Sequence, residues 1–195
     1  SSLDELDLAM EYFDESLTIC VASKISKQNQ IGTIFLKKAE IYYKKQQYNQ
    51  ALEYSNKAIN EFKVTSNKFD LSECYMLLAK ANKKLLKKDL ALAYTDKALA
   101  INYELDNNSK IIETQILKSY LLLDSKPELA KNLGEESLKL IKSETSNKIK
   151  ADLYKLLYEC YKRSNQTNRA LSMIEKHTVF KDSFQLEKNK ILIIK

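Results

Sequence analysis

A repeat constrains this chain more than any other feature. Ala39, Ala51 and Ala58 return 40 residues later as Ala79, Ala91 and Ala98. The flanking strings keep step, "AEIYYKKQQYNQALEYSNKAI" beside "AKANKKLLKKDLALAYTDKAL". A third copy, "SYLLLDSKPELAKNLGEESL", places Ser119, Ala130 and Ser137 in the same slots and is one residue shorter at the turn holding Pro127. A fourth, "YECYKRSNQTNRALSMIEKH", places Tyr158, Ala170 and His177 there. Near the N-terminus, "DLAMEYFDESL" matches the second half of a copy, with Ala9 and Ser16 in register. A fixed period of this size marks stacked supersecondary units.

The small residues have a mechanical reason. Two helices approach to about 8–10 Å only where a small side chain lets one backbone meet the other. Between the slots, apolar residues recur at helical spacing, as in Leu77, Leu78, Ala81 and Leu85. Each copy therefore reads as helix A, a short polar turn and helix B. The turns are "KKQQYNQ", "LKKD", "DSKPE" and "RSNQTNR"; the linkers between copies are "VTSNKFD", "ELDNNSK" and "SETSNK". Only 2 Gly and 1 Pro occur in 195 residues, so long loops and sharp β-turns have few residues to build them. With 44% hydrophobic and 30% charged residues, the chain can fill a core and is not a disordered one.

The alternation of A and B helices with a small-residue triplet resembles the tetratricopeptide-repeat (TPR) family, in its longer variant of 39–40 residues. The resemblance runs from about Leu3 to about Phe180. It departs from the family pattern in having no Trp at the start of helix A, no Pro closing each unit, and Ser119, Tyr158 and His177 in small-residue slots. It implies an all-α fold, a right-handed α-α superhelix of antiparallel helix pairs with about nine to ten helices. The expected organisation of 1–195 is a single array: a lone helix B at 3–27, units at 31–67, 70–107, 109–146 and 148–180, and a connecting or capping helix at 181–195. A lone helix B exposes an apolar face, so the chain reads as a piece of a longer protein. The ending "IEKHTVFKDSFQLEKNKILIIK", with Lys181, Asp182 and Ser183 opening a charged helix, resembles the TPR sensor regions of Bacteroidetes-type regulators. Those arrays lead into a histidine kinase or a helix-turn-helix module, often across a membrane span; the other reading of the ending is a plain capping helix.

Catalytic chemistry finds no foothold. The single histidine, His177, cannot build a multi-histidine metal site, and "HTVFKD" lacks the acidic residue that follows a phosphoaccepting histidine. As an occupant of a small-residue slot it reads as a packed imidazole. Gly32 and Gly134 form no phosphate-cradling loop and fall within helical pattern, where close packing explains them. Cys20, Cys74 and Cys160 are far apart, with no CxxC spacing, and read as small buried hydrophobes. The expectation is a non-enzyme without metal or cofactor.

Binding remains. In stacked helix pairs the A helices line the concave face. The family's groove positions fall on Thr33, Leu36, Glu40, Tyr43 and Lys44; on Glu73, Met76, Lys80, Lys83 and Lys84; on Glu113, Ile116, Tyr120, Leu123 and Asp124; and on Asp152, Lys155, Glu159, Lys162 and Arg163. The carboxylate clamp of the chaperone-binding members is not expected, because its Asn residues are missing and the matching slots hold Glu40, Lys80, Tyr120 and Glu159. A net charge of +6, mostly lysine on helix surfaces, permits an anionic partner without requiring one. Without aromatics interleaved in a basic patch, nucleic-acid binding is not expected. No apolar run approaches the roughly 20 residues of a membrane span; the run Ile191, Leu192, Ile193 and Ile194 is four residues long. The sequence thus predicts a protein- or peptide-binding TPR module. It is either the sensor part of a larger bacterial signalling protein, cytoplasmic or, where a membrane span follows in the parent, membrane-linked and periplasmic, or a stand-alone assembly scaffold. The uncovered first helix offers self-association as a further contact.

Overall fold

The computed structural model describes residues 2–22 and 27–193. Residues 23–26, expected to close the lone first helix, and Ile194 and Lys195 lie outside them. The described residues form nine α-helices and no strand. They are α1 (Ser2–Ala22), α2 (Gln28–Lys44), α3 (Tyr48–Val64), α4 (Lys68–Lys84), α5 (Lys88–Glu104), α6 (Asn108–Leu122), α7 (Pro127–Lys139), α8 (Asn147–Arg163) and α9 (Thr167–Ile193). The chain divides into two compact units, Ser1–Leu105 and Asp106–Lys195.

In unit 1, α2 pairs with α3 and α4 with α5, α3 packs on α4, and α1 lies on α2. The connections 45–47, 65–67 and 85–87 are three residues long, so consecutive helices run antiparallel. Leu36, Ala39, Ala58, Ile59, Phe62, Cys74, Leu77 and Leu78 form the core. Burial of the repeat slots explains the period: Ala39, Ala51, Ala58, Ala79, Ala91 and Ala98 have no exposed surface. Gly32 serves the same closeness. A Cβ there would lie 2.7 Å from Phe62 Cε1. In unit 2, α6 pairs with α7 and α8 with α9, with α7 on α8 and α6 beside α8. Its slots Ser119, Ala130 and Ser137 are fully buried and Ala170 nearly so, whereas Tyr158 and His177 are half-buried.

Local chemistry sets the helix ends. Asn67, Asn107 and Ser146 lie 40 and 39 residues apart and cap α4, α6 and α8, each accepting a bond from the backbone N–H three residues on. After five helices the chain turns through a left-handed residue: Gln46 (φ 61°), Ser66 (φ 56°), Leu86 (φ 59°), Asp106 (φ 47°) and Asn165 (φ 56°). The Gln46 N–H donates to Tyr43 O and the Gln47 N–H to Tyr42 O, at 3.0 and 2.9 Å. The same pair of bonds follows Ser66, Leu86 and Asn165. This is the Schellman closure, which satisfies the last carbonyls of a helix and usually employs glycine. A chain with two glycines, both inside helices, makes it with other residues.

The helix α9 runs unbroken through 181, where helix B of the fourth repeat and a separate terminal helix were expected to meet. "KHTVFKDSF" contains no Gly, Pro or capping break, so nothing stops the first from continuing into the second. No described helix is long and apolar enough to cross a membrane.

Candidate functional site

Among the described residues, a hollow in each unit brings polar side chains together with apolar ones. The first lies between α2 and α4. From α2 come Leu36, Glu40, Tyr43 and Lys44; from α4 come Glu73, Met76, Leu77 and Lys80. These positions are three or four apart, so each set occupies one stripe of its helix. The hollow measures about 200 Å³. Leu36, Met76 and Leu77 are buried and form its floor. Tyr43 forms a wall, its ring tilted against Tyr48 at 5.5 Å, and burial followed by the Tyr48 hydroxyl raises its phenol above the ordinary value. Two acids and two lysines give a rim with no net charge. One of the acids, Glu40, is paired with Lys37 at 3.0 Å.

Seven of the ten groove residues expected in unit 1 thus converge here: Leu36, Glu40, Tyr43, Lys44, Glu73, Met76 and Lys80. Lys83 and Lys84 do not line the hollow. Desolvation, and then the charge of Lys84, hold the Lys83 ammonium below its usual range. Leu77, read from sequence as core, also reaches the hollow. Its spacing from Glu73 and Lys80 marks the same helix face.

In unit 2 the expected residues divide. Ile116 and Leu123 are buried and line neither of the two hollows. Tyr120 is partly buried, and that burial, followed by Glu159 and Asp152, pushes its hydroxyl up to about 12. Lys162 sits 5.7 Å from the Tyr158 ring, and Arg163 is bonded to Asp124 at 2.8 Å. Lys155 belongs to the second hollow, between α8 and α9, of about 320 Å³. Its walls are Lys148, Ala151, Asp152 and Lys155 of α8 and His177, Lys181, Phe184 and Gln185 of α9. His177 holds a fixed place in it, with Nδ1 at 2.8 Å from Ala151 O. A carbonyl only accepts, so the ring donates its Nδ1–H, and Nε2 is the acceptor of the neutral form. Sequence reasoning treated His177 as packing and Lys181 as part of a helix start. The spacing 148, 152, 155 against 177, 181, 184 was the available signal.

The thiols carry no chemistry of note. Cys74 and Cys160 are buried and free, and burial raises both, Cys160 to about 11. Cys20 is half-buried, against the expectation of a buried residue, with its Sγ 4.0 Å from Gln30 Oε1. Among the described residues no group of His, Cys, Asp and Glu could hold a metal ion.

No protein-family model matches the chain, and no curated protein sequence matches it. Solved structures do. BtubC (BKLC) from P. vanneervenii superposes with a TM-score of 0.80 at 15% identity, covering 93% of this chain and 75% of that one. A Rap protein complexed with competence and sporulation factor superposes with a TM-score of 0.79 at 13% identity, over 93% of this chain, which spans about half (51%) of its length. YrrB, a TPR protein with an unusual peptide-binding site, superposes with a TM-score of 0.57 at 19% identity, covering 97% and 86%. At these identities the likeness speaks to fold, and it agrees with the buried slots and paired helices: this is an all-α chain of TPR-like repeats.

Proposed function

We propose that the chain is a non-catalytic module that binds a peptide or an extended protein segment, and that it serves as the sensor or regulatory part of a larger bacterial signalling protein. The observation that carries the binding reading is the hollow between α2 and α4. An apolar floor, a tyrosine wall and a balanced charged rim suit an apolar side chain flanked by polar backbone. Tyrosine is among the residues that contribute most when a contact excludes water. The Rap complex and YrrB, which share the fold, are respectively bound to a factor and described by a peptide-binding site.

Panning a random-peptide display library against the chain tests this. Enriched peptides should bind at about micromolar Kd and lose about tenfold in affinity on Tyr43→Ala. No enrichment, or enriched peptides indifferent to Tyr43→Ala and Met76→Ala, would sink the reading. The signalling role is tested separately by the parent sequence beyond residue 195. A kinase or helix-turn-helix module there supports it; repeats alone would replace it with an assembly scaffold.

A further inference from the structure

The hollow between α8 and α9 differs from that of unit 1 in its charge. Lys148 and Lys155 enter from one helix and Lys181 from the other, against a single acid, Asp152. With His177 neutral the lining carries two net positive charges. Among the described residues none of these lysines makes an ion pair. Their neighbours outside the hollow are engaged: Lys150 lies 5.6 Å from the Phe180 ring and Lys176 lies 5.5 Å from the Tyr154 ring. A solvated lysine stripe would spread along one helix. Here three lysines from two helices line one concavity that also holds Phe184 and a histidine fixed to Ala151 O.

We propose that this hollow is a second peptide site, one that takes a segment presenting a carboxylate beside an apolar side chain. The lysines receive the carboxylate, Phe184 the apolar group, and Gln185 and His177 Nε2 the polar atoms of the segment. At about 320 Å³ the hollow accommodates one or two side chains and not a folded surface. Phe184, and not the net charge of two, distinguishes a carboxylate-bearing segment from free phosphate, because a dianion would be drawn to that charge at least as strongly. The site lies wholly in unit 2 and does not depend on the hollow between α2 and α4.

The chain contains one histidine, so the Cε1–H resonance of His177 reports on the hollow without further assignment. The probe is a blocked octapeptide alternating leucine and glutamate, titrated into the whole chain. A saturable shift of that resonance is expected. Lys148→Gln combined with Lys181→Gln, both at exposed positions, should weaken it about tenfold. Asp152→Asn, which removes the opposing charge, should tighten it about threefold. Replacing glutamate with glutamine in the probe should abolish saturation, and Tyr43→Ala should leave the shift unchanged. No shift, an equal shift with the glutamine probe, or weaker binding by Asp152→Asn would overturn the proposal. An identical shift with inorganic phosphate would make this a small-anion site and would also overturn it.

Discussion

Leu86 holds a left-handed backbone (φ 59°) with its side chain 90% exposed. That conformation sets its Cβ against the following carbonyl, while the side chain gains no packing in return. Leu86→Gly should therefore raise stability by about 1 kcal/mol, less than the full strain because glycine also loosens the unfolded chain. Denaturant midpoints compared with the parent would check it. The Ser119 slot tests a buried position. Its hydroxyl is fully buried and has no hydrogen-bond partner, so Ser119→Ala should stabilise by up to about 1 kcal/mol. Gly32→Ala should destabilise by about 1–2 kcal/mol despite a gain in helix propensity. Its methyl would press on Phe62, which has no exposed surface and no room to turn. A rise in melting temperature for Gly32→Ala would contradict this account of close packing. The alanine slots were legible in the sequence because only small side chains fit there. The left-handed turns were not, since Gln46, Ser66 and Leu86 carry none of the glycine signal that normally announces them.

At the scale of helices, unit 2 is joined by buried polar contacts that periodicity cannot predict. Tyr161 of α8 donates to Glu135 Oε1 of α7 at 2.8 Å, and Ser137 of α7 donates to Gln115 Oε1 of α6 at 2.5 Å. Burial, and then the bond to Glu135, push the Tyr161 hydroxyl up to about 12; burial and nearby acids do the same to Tyr120. Both values lie above the 10.0 of a free tyrosine, so the folded state holds these protons longer than the unfolded one. The stability they contribute is whole below pH 10 and is lost as pH rises toward 12. Chemical denaturation from pH 9 to 12 should show that decline, and Tyr161→Phe should flatten it while costing about 1 kcal/mol at neutral pH. An unchanged slope in Tyr161→Phe would remove Tyr161 from the explanation. The pairing of helices was legible because small-residue slots and short turns force it. The unbroken length of α9 was not, because a continuation without Gly or Pro looks the same in sequence whether one helix or two occupy it.

Across the whole molecule, a net charge of +6 attracts any acidic peptide, and this general field must be separated from the convergence at Lys148, Lys155 and Lys181. Ionic strength separates them. The screening length shrinks from about 10 Å at 0.1 M salt to about 3 Å at 1 M, which removes diffuse attraction but not contact within a hollow. The groove list drawn from the repeat could not make this distinction. Its positions on α8 begin at Asp152; Lys148 lies one turn before them, and His177, Lys181 and Phe184 belong to α9. Raising salt from about 0.05 to 0.5 M should weaken leucine–glutamate peptide binding about fivefold while the His177 shift stays saturable. Lys139→Gln, on α7 and outside the hollow, removes the same unit of net charge as Lys181→Gln but should change affinity by less than about half as much as that variant does. Equal effects of the two substitutions would mean that overall charge, and not the place where α8 and α9 bring their lysines together, attracts the peptide.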